Sequence, residues 1–147
     1  MEFTVKVENK DLTKALNSIS AWDGKARLRV EDALKKGTRA IRSQAYQRAA
    51  KKSGALKKSI KCGFSTTKLE GRVYTNLPYA HLVEYGTQQY KIAPKKKKAL
   101  KFSVDGTNIF AKNVIRPKRE GKPFMKPAYD YVAPDIIKNV RRAVTKK

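Results

Sequence analysis

Apolar residues recur along this chain with two different periods. Phe3, Val5 and Val7 alternate with Thr4 and Lys6, a period of two that predicts a short strand. Leu12, Ala15, Leu16 and Ile19 fall at i, i+3, i+4 and i+7, which predicts a short amphipathic helix over 11–20. Ala21-Trp22-Asp23-Gly24 breaks that pattern. From 25 to about 52, the stripe Val30, Ala33, Leu34, Ile41, Ala45 and Ala49 predicts one long helix, with Lys35, Lys36, Arg39, Arg42 and Arg48 on its other faces. Gly37 stands near its middle, where glycine costs up to ~1 kcal/mol relative to alanine. It marks either a close helix crossing or a weak point. Ser53-Gly54 is expected to end the helix, with Gly54 left-handed after the last turn.

One more helical turn is expected before Ile60. Strands over 60–66 and 71–75 then form a hairpin through Thr67-Lys68-Leu69-Glu70. The stretch PYAHLVEYGT, 78–87, reads as a two-turn helix with Pro78 in its first turn and Gly86 just past its end. Tyr79, Leu82 and Val83 share a face and are expected to pin it on the sheet, because so short a helix is unstable alone. Residues 87–99 read as a loop holding Pro94 and the run Lys95, Lys96, Lys97, Lys98. Leu100, Phe102 and Val104 predict a strand over 99–104, and Asp105-Gly106 is a strong hairpin signal. The return strand, 108–115, has blurred alternation that predicts a bulge. A second basic loop, 116–122, follows. Pro123-Phe124-Met125-Lys126-Pro127-Ala128 opens a last helix with the stripe Ala128, Val132, Ile136 and Val140. Pro134 inside it is expected to kink it, and 145–147 to fray.

Helices and antiparallel strands are segregated in this order, so the fold class is α+β. The expected architecture is an antiparallel sheet of about four to five strands packed against two long helices, central and C-terminal, plus a short helix. Its length of 147 residues fits one domain. Within it, 1–24 form an N-terminal strand and short helix, and 25–144 the core.

Charge changes this picture more than composition does. Lys and Arg total 35 against 12 acids, a formal charge of +23. Such an excess repels itself in the folded state and points to a polyanionic or acidic neighbour. No apolar run approaches the ~20 residues of a membrane span, and MEFTVKVENK lacks the apolar h-region expected of a signal peptide. A soluble protein made in the cytoplasm is expected.

Candidate chemistry is sparse. With one cysteine, Cys62, and one histidine, His81, no Cys/His metal spacing can be built. His81 and Glu84 stand three apart, but no third ligand or nucleophile accompanies them. No phosphate loop, nucleophile elbow or carboxylate cluster is present. Cys62 alternates into the core side of its strand. No catalytic, cofactor or metal role is expected. The lysine run and the 116–122 loop can make sequence-blind phosphate contacts or keep a sheet edge soluble.

The order SGALKKSI, a strand, GRVYTNLPYAHLVEYGT, a Lys-rich loop and PFMKPA resembles the small head–tail joining proteins of tailed bacteriophages, the gene-product-ten-like family of lambdoid siphophages. The resemblance covers roughly 27–144. It implies a non-enzymatic virion protein of the neck, completing the tail late in assembly. It implies a homo-oligomeric ring, commonly of six, between the head-closure or connector protein and the tail terminator or tail tube, with DNA passing through the channel. Pro78, Tyr79, Val83, Glu84, Gly86 and Thr87 carry over as residues that set the short helix and its exit. Pro123, Phe124, Pro127 and Ala128 would anchor the last helix, with Pro123 at its first position. Glu84 is expected to pair with an Arg or Lys of its own or a neighbouring subunit. Lys95, Lys96, Lys97, Lys98, Arg116, Lys118, Arg119 and Lys122 are the candidate contacts to partner protein or nonspecifically to DNA. A different class, a cellular RNA-binding or ribosome-associated basic protein, draws on the same charge.

Overall fold

A computed structural model describes residues 2–5, 24–50, 54–95 and 98–145 of the protein. The predicted helix over 11–20, Val7, Lys96, Lys97 and the end of the tail lie outside the described residues.

The long stripe folds as expected. Helix α1 (Gly24–Arg48) buries Ala26, Val30, Leu34, Gly37, Thr38, Ile41 and Ala45. The C-terminal helix α4 (Met125–Thr145) buries Met125, Ala128, Val132, Ile136 and Val140. The two stripes pack on each other as the main core. Each fully buried Val, Leu or Ile contributes about 1.5–3 kcal/mol. Gly37 is a close crossing: a Cβ built there would lie 2.4 Å from Ile136 Cγ1 and 2.7 Å from Cδ1. Pro134 sits on the exposed side of α4, which runs unbroken past it. The carbonyl that loses its partner there, that of the exposed Asp130, can turn to water.

Helix α1 ends at Arg48, earlier than expected, with Ala49 N–H donating to Ala45 O at 2.9 Å. Gly54 does adopt a positive φ of 70°, but as the entry to a one-turn helix α2 (Ala55–Ser59), not as the exit from α1. The hairpin then forms as predicted. Strand β2 (Ile60–Ser65) pairs antiparallel with β3 (Glu70–Thr75), and the N-terminal β1 (Glu2–Val5) pairs with the other edge of β3. Ile60 and Val73 turn inward to the helices, and Cys62 and Phe64 pack half-buried beside them.

Helix α3 (Ala80–Tyr85) departs from the sequence reading in two respects. Pro78 is not in its first turn. It lies in the preceding turn closed by Ala80 N–H to Leu77 O at 3.1 Å, a place its fixed φ also suits. The face expected to pin the helix does so only through Val83, which packs half-buried against the core. Tyr79 and Leu82 are 40% and 43% exposed, while Ala80 and Glu84 are buried. The apolar stripe loses to a polar group with a stronger demand, taken up below.

The remaining strands form ribbons rather than joining the sheet. They are β4 (Gly86–Thr87) with β9 (Arg119–Glu120), β5 (Tyr90–Ile92) with β8 (Val114–Arg116), and β6 (Leu100–Val104) with β7 (Thr107–Ala111). The fold is α+β, with its strands divided between a three-stranded sheet and these ribbons.

The α1–α4 crossing makes a coupled pair. Gly37→Ala should destabilise the protein by about 1–3 kcal/mol despite alanine's better helix propensity. In urea unfolding, Gly37→Ala combined with Ile136→Ala should lose less than the sum of the singles, because the second change removes the colliding atoms. Additive losses would show that Gly37 is not a crossing point.

A candidate docking site at the root of a β-arm

The three ribbons are one arm. Gly86 pairs with Glu120, Thr87 with Arg119, Tyr90 with Arg116 and Ile92 with Val114, all in one continuous register. Between β4 and β5 the ladder breaks opposite Pro117, which has no N–H to give. Residues 87–99, expected as a loop, thus supply two short strands. Farther out, Ile92 pairs with Val114 and Leu100 with Ala111, so the chain is five residues longer on the outgoing side than on the return. The extra length lies on the outgoing side, not on the return strand where the bulge was expected. At the apex Asp105 and Gly106 have φ of 48° and 82°, the paired positive values of a tight hairpin turn. Along the return strand, at ~3.3 Å per residue, the arm is roughly 40 Å long.

Two glycines fix the arm's root. A Cβ on Gly86 would lie 2.3 Å from Arg119 O, and one on Gly121 would lie 2.4 Å from Glu84 O. Gly86 also has φ 78° and ψ −170°, a region that side chains rarely enter. Lys122 N–H donates to Val83 O at 2.7 Å, closing the crossing.

Glu84 locks this root to the core. It is 2% exposed. Its Oε2 accepts from Phe124 N–H at 2.8 Å and Met125 N–H at 3.0 Å, and its Oε1 from Lys126 N–H at 3.0 Å. A helix leaves its first four N–H groups unbonded. In α4 the fourth belongs to Pro127 and does not exist, so one carboxylate satisfies every donor of that turn. The positive end of the helix dipole adds to the stabilisation. This replaces the expected ion pair: among the described residues the partners of Glu84 are backbone N–H groups, not Arg or Lys. Pro123 lies two residues before α4 rather than at its first position, while Phe124 is fully buried in the core. His81 is exposed and does not share the burial of Glu84, so the two form no dyad. Among the described residues, no group of three or more His, Cys, Asp or Glu could hold a metal.

Beside the root lies a pocket of about 460 Å³. Tyr79, Leu82 and Val83 line it from the α3 side. Thr87, Tyr90 and Pro117 line it from the arm. Arg116, Arg119 and Lys122 stand around it with Glu120. The structure thus gathers three of the predicted basic contacts. Lys118 is exposed outside the pocket lining, and Lys95 and Lys98 are exposed farther out. Tyr90, Pro117 and Gly121 are site residues the sequence reading did not select, and Leu82 was read only as a packing residue. The glycine in a basic loop was the one available signal.

A family model described as "Bacteriophage HK97-gp10, putative tail-component" matches residues 10–86. The match takes in α1 through α3 and stops at the first residue of the arm. No curated protein and no solved structure matches the chain.

Substitution separates the two parts of this root. Glu84→Gln replaces one acceptor oxygen by a donor facing N–H groups, and should lower stability by about 1.5–3 kcal/mol in urea unfolding. Glu84→Ala should cost more, since it leaves three N–H groups without acceptors. Gly86→Ala should lose more than about 2 kcal/mol from backbone strain plus collision. Wild-type midpoints in these variants would remove the clamp from the account.

Proposed function

Because the chain belongs to the HK97-gp10-like family of bacteriophage tail components, we propose that it acts in the virion as a non-enzymatic ring protein of the neck, joining the head connector to the tail. The observation that carries this reading is the arm. It is clamped at its root, rich in lysine and arginine, and exposed along both strands, with no second layer over it among the described residues. A lone two-stranded ribbon is marginal in water, so its natural setting is against neighbours. A ring supplies them, because each copy presents the same arm to the next. Six copies around a channel would place one set of basic residues toward the genome, in salt-dependent contact with phosphates. Others would meet the head-closure protein on one side and the tail terminator or tube on the other. The family of tail components favours this over a cellular RNA-binding role.

A phage with a nonsense codon in this gene should fill heads with DNA and complete tails, yet leave the two separate in electron micrographs. Added purified protein should join them. Replacing 88–118 by an Asn-Gly turn should preserve the circular dichroism and melting of the body but abolish that rescue. Empty heads, or tails of altered length, would assign the protein to another step.

A further inference from the structure

The geometry points to a head-to-tail contact between copies of this chain, in which the tip of one arm seats in the root pocket of the next. This rests on the ring reading and names the contact that would close the ring.

The tip has one apolar face. The register places Leu100, Phe102 and Val104 on the same side as Ala111, Ile109 and Thr107. Phe102, Val104 and Ile109 are 38%, 47% and 39% exposed. The root pocket offers the matching surface, with Leu82, Val83 and Pro117 among its apolar lining.

Charge selects the tip as the occupant. Between Leu100 and Ala111 the chain carries one base, Lys101, and one acid, Asp105. The rest of the arm carries Lys91, the lysine run, Lys112 and the basic residues of 116–122 against Glu120 alone. The tip is therefore the one part of the arm that can approach Arg116, Arg119 and Lys122 of another copy without like-charge repulsion. Asp105 at its apex brings a carboxylate to those three cations, which outnumber the Glu120 beside them.

Reach agrees. From Arg116 at the pocket to Thr107 at the tip is roughly 30 Å along the strand. The body outside the arm, about 110 residues, is about 34 Å across. An extended arm cannot turn back to its own root, but it spans the distance to an adjoining copy. Contacts of this heterologous kind close into rings when the rotation permits.

Phage carrying Val104→Cys and Leu82→Cys in one chain, with Cys62→Ser, should give on mild oxidation a disulfide ladder climbing to a covalent ring on a non-reducing gel. Each single cysteine should give dimers at most. The ring itself is scored apart from this, by the native mass of neck complexes released from virions. A ring that yields no ladder, or only tip–tip dimers, overturns the docking and leaves the ring. Absence of a ring overturns both. In a second measurement, Asp105→Asn, which keeps a residue tolerant of positive φ, and Arg119→Gln should each weaken self-association roughly two- to fivefold. The double variant should be no weaker than either single. Independent, multiplying effects would contradict the contact.

Discussion

A buried carboxylate survives only where donors replace the water it loses. Glu84 meets that condition with three backbone N–H groups at the start of α4. Much of the molecule's layout follows from it. Glu84 belongs to α3, and the arm departs two residues later at Gly86. The arm's return strand runs through Gly121 and Lys122 directly into the turn that Glu84 caps. One side chain therefore ties both strands of the arm to the helix that supplies half the core. The glycine pair removes the side chains that would hold the two strands apart, and the cap keeps the crossing from sliding.

Clamping also explains how a basic chain can carry a long projection. At +23, charges gathered in the core layer would oppose folding. The arm from Gly86 to Lys122 holds 11 of the 35 Lys and Arg residues away from that layer, and in solvent screening acts over about 8 Å at physiological salt. The body needs only the α1–α4 interface and a small sheet. On α3, Tyr79 and Leu82 are exposed and line the root pocket.

How far sequence reveals this depends on the range of each interaction. The stripes Val30, Leu34, Ile41, Ala45 and Ala128, Val132, Ile136, Val140 were legible because helical periodicity is local. So were the β2–β3 hairpin and the Asp105-Gly106 turn. The arm was legible only in its outer third. Its register links residues more than thirty apart in sequence, such as Gly86 and Glu120, and the extra length on the outgoing side hides that continuity. Glu84 was singled out correctly but given the wrong partner. Backbone N–H groups leave no letter in a sequence, and the available hint was Pro127 deleting the fourth donor. The same blindness turned the α3 stripe toward the sheet: an apolar count cannot weigh a buried cap against three hydrophobic contacts. Of the basic candidates, sequence could name Arg116, Arg119 and Lys122 but not show that they share one pocket.

The clamp by Glu84 is most directly tested by amide hydrogen exchange of the Glu84→Gln variant against the wild type. Phe124, Met125 and Lys126 should lose protection together, and Lys122 with them, while the centre of α1 around Ile41 stays protected. Unchanged protection at Phe124, Met125 and Lys126 would mean that Glu84 does not hold the start of α4, and the link from arm to core would fall with it.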